Sequence, residues 1–185
     1  MKMIPQSFTG MITESRVRQK LESLGLIVKK PIPDIGIDFE VFSPLDRSKS
    51  ARILVKGRNP KMIKTYRWFQ LRVQKSEMES AKSSGIKADE TWRKKVDMID
   101  FFILDAVFYD EMWVLTREQT LKLISLNKYQ YGLRPDNIFF YENPVKGKQK
   151  EMNLEAQVPG IPIIEQFKTC RNNFVPILNF LGLNL

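Results

Sequence analysis

The chain has 185 residues, a net charge of +9 and 43% hydrophobic content, enough for one core-bearing domain with or without an appendage. It contains no histidine and a single cysteine, Cys170. Those absences exclude Ser-His-Asp and Cys-His catalysis, His-Cys zinc sites, nucleases whose general base is histidine, and an internal disulfide. What remains is chemistry built from carboxylates, lysines and a metal ion. No apolar run approaches the roughly 18 residues of a membrane span, and the amino terminus lacks the charged-then-apolar pattern of a secretory signal. A cytoplasmic protein with no membrane partner is expected, with Cys170 as a small buried apolar residue.

In chain order, the first eight residues, with Pro5, read as an extended start. A helix is predicted from Thr9 to Leu24: Thr9 or Thr13 can cap it, Val17, Leu21 and Leu24 form its apolar stripe, and Gly25 stops it. One turn back along the stripe lies Glu14. A carboxylate in line with core positions needs a partner, because burying an unpaired charge is costly. Equally, a glutamate in the first turn can simply meet the helix dipole. Leu26 to Val28 starts a strand that ends before Pro31 and Pro33.

Two strands follow, residues 36–43 and 51–57, joined by a polar turn from Pro44 to Ser50. In the first, Ile37, Phe39 and Val41 alternate with Asp38 and Glu40; in the second, Ile53 and Val55 alternate with Leu54 and Lys56. The pattern sends Asp38, Glu40 and Lys56 out of one sheet face. Carboxylates are hard oxygen ligands suited to Mg²⁺ or Mn²⁺, and a nearby lysine can orient a water and stabilise charge on a phosphate. The same residues would also serve as a cross-strand ion pair on a solvated face, and spacing alone does not separate the two.

A Gly-x-Asp opening one strand, Gly36 to Asp38, followed by Val55-Lys56-Gly57 on the next, resembles the PD-(D/E)xK nuclease superfamily. The resemblance implies a restriction-endonuclease-like α/β (α+β) fold, a central mixed β-sheet flanked by helices, and metal-dependent hydrolysis of DNA. It implies that Asp38 is a metal ligand, that Lys56 is the catalytic lysine assisting the attacking water, and that the carbonyl of Val55 joins the metal. Pro33-Asp34 is the literal alternative, but Asp34 lies in the turn before Gly36. Two positions before the lysine, where the family has an acid, this chain has Leu54, which cannot ligate a metal. Either Glu40 or Glu14, the latter matching the glutamate that the family's first helix often supplies, takes over, or the domain is a catalytically silent DNA-binding module.

From Arg47 to Lys75 there are ten basic residues and no acid, so the rest of the chain sums to −1. Within this window Arg58, Lys61, Lys64, Arg67 and Arg72 are the candidate phosphate contacts, and Tyr66 and Trp68 offer stacking surface. An acidic protein partner is the third reading of that surface. Arg67 to Val73 alternates as a strand and is predicted to lie beside the second motif strand, with Gln70 towards the site. Ser76 to Lys87 reads as loop, Asp89 to Met98 as helix, Phe101 to Val107 as a buried strand, Glu111 to Leu115 as its neighbour, and Arg117 to Leu126 as a helix capped by Thr116. The order helix, three antiparallel strands, helix, strand fits the superfamily core over residues 1–127. Residues 128–185 read as an extension packing on the same domain, with a strand at Ile138 to Tyr141, a small basic patch at Lys146, Lys148 and Lys150, and a closing helix from Ile164 to Leu181 that Pro176 kinks. Symmetric cutting of a duplex would require a homodimer, whose interface the sequence does not show.

Overall fold

The structure, a computed structural model, describes residues 6–32, 36–57, 68–72, 83–84, 88–107, 110–130, 137–141 and 163–183. Helix α1 spans Gln6–Ser23. It ends where the sequence places its stop: Gly25 has φ +80°, its N–H donates to the Glu22 carbonyl at 2.9 Å, and the Leu26 N–H reaches back to Leu21 at 3.3 Å. That is a Schellman cap, which requires a left-handed residue that glycine adopts without strain.

Strands β1 (Ile27–Lys29), β2 (Phe39–Phe42) and β3 (Ser50–Gly57) form an antiparallel meander. The β2–β3 turn is built by Asp46, whose Oδ1 accepts the Ser48 N–H and hydroxyl at 3.0 and 2.6 Å. Strand β4 is Trp68–Arg72 and helix α2 is Ala88–Asp97. Strand β5 (Phe101–Ala106) pairs parallel to β3, and β6 (Glu111–Thr116) antiparallel to β5. The result is a mixed five-stranded sheet in the order β1-β2-β3-β5-β6 with flanking helices, an α+β architecture. Helix α3 (Arg117–Gln130) and strand β7 (Asn137–Tyr141) follow, and β7 pairs with β4 in a second, two-stranded sheet.

Two sequence expectations are corrected. The strand from Arg67 to Val73 does not lie beside β3; it pairs with β7, and β3's other neighbour is the parallel β5. Alternation specifies a strand but not its partner, and a parallel partner needs a crossover that local pattern does not reveal. The three antiparallel strands after α1 are therefore β1, β2 and β3. The closing helix is also broken into α4 (Ile163–Gln166), a 3₁₀ turn (Lys168–Cys170) and α5 (Val175–Phe180). Asn172, at φ +51°, interrupts it, exchanging hydrogen bonds with Met112: its N–H donates to the Met112 carbonyl at 2.7 Å and its Oδ1 accepts the Met112 N–H at 2.8 Å. Pro176 sits in the first turn of α5, where its missing N–H has no helical partner to lose. It starts a helix here. The stripe Phe167, Cys170, Phe174, Ile177 and Leu181 is nonetheless buried throughout.

Contacts divide the chain into two compact units that interleave in sequence, Met1–Met62 with Met98–Arg117 and Thr169–Leu185, and Ile63–Asp97 with Glu118–Lys168. The first holds the five-stranded sheet. On one face, Val17 and Leu21 of α1 pack with Phe39, Val41, Ile53, Val55, Phe101, Ile103 and the α5 residues Ile177 and Leu178. Asp100 ties β3 to the start of α3: its Oδ2 accepts the Arg52 N–H at 2.8 Å and its Oδ1 accepts from Arg117 at 2.7 Å. Among the described residues no helix is long and apolar enough to cross a membrane.

Candidate active site

The site lies where β2 begins beside the carboxyl end of β3. Gly36, at φ +78°, and the buried Ile37 lead the chain into β2. Phe39 is the Cα partner of Ile53, yet the Asp38 N–H donates to the Ile53 carbonyl at 3.1 Å, so regular pairing ends at Asp38. Its carboxylate turns across the gap that β2 leaves, and Oδ2 accepts the Val55 N–H at 2.6 Å. In an extended strand the N–H and C=O of one residue point the same way. The Val55 carbonyl therefore also faces the side where Asp38 stands, while the Val55 side chain is buried in the core.

Lys56 follows on β3 with an exposed side chain, and its charge bears on Asp38. Glu14, on α1, does so as well: burial raises the Asp38 pKa above its ordinary value, the Val55 N–H and Lys56 pull it down, Glu14 pushes it up and Lys30 pulls it down again. Glu14 is itself held by Lys30, whose Nζ donates to Oε2 at 3.0 Å. The charges of Glu14 on α1, Lys56 on β3 and Lys30 just after β1 thus all bear on Asp38, the residue before β2. Of the residues the sequence proposed, Asp38 contacts Val55, and the charges of Glu14 and Lys56 bear on it.

Glu40 is placed differently. It stands opposite Arg52 on β3 and Lys29 on β1. Lys56 lies four residues further along β3, about 13 Å at the rise of a strand. Leu54 is buried on the sheet, opposite Phe102 of β5. Arg58, Lys61, Lys64 and Arg67 lie outside the described residues, as do Tyr66 and the patch Lys146, Lys148 and Lys150. Arg72 and Gln70 belong to β4, opposite Asn137 and Phe139 of β7.

Two residues of this end of the sheet, Lys30 and Asp105, and the packing of Gly57 under α1 were not singled out in the sequence. Lys30 had no local signal, being sixteen residues from Glu14. Asp105 had one: it is the lone charge in the apolar run of β5. It is fully buried, its Oδ2 accepts from Arg16 Nε at 3.1 Å, and its Oδ1 has no hydrogen-bond partner. Burial drives its pKa up to about 6, against the pull of Arg16. The Arg16 guanidinium also reaches Asp110 Oδ1 at 2.6 Å, across the β5–β6 turn. Gly57, Cα partner of Asp105, lies directly under α1; a Cβ there would collide with Thr13. Only glycine lets the helix bearing Glu14 settle onto the strand bearing Lys56.

No family model and no curated protein matches this sequence. Among solved structures, the chain is similar to a bacterial homing endonuclease, I-Ssp6803I. The two share 12% identity over 90% of this chain and 96% of that one, with a TM-score of 0.45.

Proposed function

We propose that the protein is a metal-dependent endodeoxyribonuclease of the PD-(D/E)xK type, acting at the site formed by Asp38, Glu14 and Lys56. The observation that carries this reading is Asp38, half-buried with its carboxylate on the N–H of Val55, the residue before the exposed Lys56 in the strand, with the charges of Lys56 and Glu14 both bearing on it. Within the unit that holds the five-stranded sheet, the order α1, β1-β2-β3, β5 supports it.

Among the described residues no group of three or more acidic or cysteine side chains could hold a metal ion. The donor set still suits Mg²⁺ or Mn²⁺, which binds through one or two carboxylates and keeps its other positions for water and substrate phosphate. Asp38, Glu14 and the Val55 carbonyl are hard oxygen donors, and Asp38 and Glu14 repel one another in a way that a divalent cation would relieve. When bound, such an ion would polarise the phosphodiester and lower the pKa of a water. The chain's own residues do the rest. Lys56 orients the attacking water and faces the charge that develops on the phosphate; the Val55 N–H, donating to Asp38 Oδ2, fixes that carboxylate in place. Glu14 takes the place of the acid that Leu54 displaces, since it is Glu14 that bears on Asp38. Arg58, Lys61, Lys64, Arg67 and Arg72 would grip the DNA backbone.

Supercoiled plasmid incubated with Mg²⁺ or Mn²⁺ is expected to be nicked or linearised, EDTA to stop the reaction, and Lys56→Ala to lower the rate about a hundredfold or more. Binding without cleavage under all metals would instead support a silent DNA-binding module, the reading favoured by the buried, apolar Leu54.

A further inference from the structure

Lys30 belongs to none of the roles above, yet it is the residue that holds Glu14. Its ammonium donates to Glu14 Oε2 at 3.0 Å, so a cation already sits on one of the carboxylates proposed for the metal. The Lys30 side chain is 61% exposed and Glu14 31%, so the pair is wet and separable. Lys30 follows β1 directly, where the chain leaves the sheet before Pro31, so its side chain is not fixed by strand pairing.

We infer that Lys30 is a resident counter-ion that competes with the divalent metal for Glu14 and, once displaced, supplies a positive charge to the substrate phosphate. This rests on the metal-site reading above. Without metal, the two carboxylates are balanced by Lys30 and Lys56. A divalent ion on Glu14 and Asp38 adds two positive charges beside those of Lys30 and Lys56, and a phosphodiester with its developing charge is the anion that matches the surplus. The same lysine therefore opposes metal binding in the free protein and favours substrate binding in the loaded one.

The test is Mn²⁺ titration of the full chain without DNA, by calorimetry at low salt, comparing wild type, Lys30→Met and Glu14→Gln. Melting curves in EDTA would check that each variant is folded. Lys30→Met is expected to bind Mn²⁺ about fivefold more tightly than wild type, the factor an exposed ion pair can supply, and Glu14→Gln more weakly. A second readout, binding of a short duplex by the Lys56→Ala protein, is expected to show that adding Lys30→Met weakens affinity in Mn²⁺ but not in EDTA. If wild type binds Mn²⁺ and Lys30→Met binds it equally or less tightly, the counter-ion role is overturned while the metal site stands. If neither protein binds Mn²⁺, the metal-site reading falls and this inference with it.

Discussion

At the scale of single residues, the charges at the end of the sheet are held under unequal conditions. Glu14 and Lys30 are wet and exchangeable, Asp38 is half-buried against a backbone N–H, and Asp105 is sealed beneath Arg16 with one oxygen unsatisfied. Removing a carboxylate from water disfavours its charged form, which is why Asp105 is held at about 6 against an ordinary value of 3.8. Between those two values the folded chain binds a proton that the unfolded chain has released. The stability this group contributes is thus present at acid pH and lost as pH rises through about 6. Asparagine keeps an acceptor for Arg16 without the charge. The melting temperature of Asp105→Asn relative to wild type is therefore expected to increase as pH goes from 4 to 7, measured by thermal melts across that range; a constant offset would show that Asp105 does not titrate there. This residue was half legible in the sequence: a lone aspartate in an apolar strand signals a buried partner, but Arg16, 89 positions away, has no local mark.

At the scale of elements, what local pattern specifies came through and what depends on partner choice did not. The end of α1 at Gly25, the turn at Asp46 and the strands on either side of it follow from residues adjacent in the chain. The partner of Trp68–Arg72 does not, nor does the breakage of the last helix, which is set by the Asn172–Met112 exchange between distant segments. The site has the same division. In the proposed site, Asp38 and Lys56 come from alternation alone, whereas the preference for Glu14 over Glu40 comes from where α1 sits. That seating depends on Gly57. Because an added Cβ would meet Thr13, Gly57→Ala should push α1 off β3 and carry Glu14 with it. Overpacking of this kind costs about 1–3 kcal/mol. Denaturant melts should show such a loss, with cleavage falling more than tenfold in protein that is still folded; unchanged stability would mean that the helix can shift at no cost.

At the scale of the molecule, two units interleave in sequence, and the five-stranded sheet of the first gathers α1, β2 and β3 around one cluster of opposed charges. The basic excess lies in the sequence from Arg47 to Lys75, overlapping the strand that carries Lys56, so the proposed chemistry and the attraction for a polyanion share a stretch of chain. Leu54 is where the sequence departed most from the resemblance, and the proposed site uses Glu14, from a different element, in its stead. The measurement that bears on this most directly is plasmid cleavage in Mg²⁺ by Glu14→Gln and Glu40→Gln side by side with wild type and Asp38→Asn. Glu14→Gln is expected to lose activity as completely as Asp38→Asn, and Glu40→Gln to stay within a few-fold of wild type. Activity retained by Glu14→Gln and lost by Glu40→Gln would contradict the assignment.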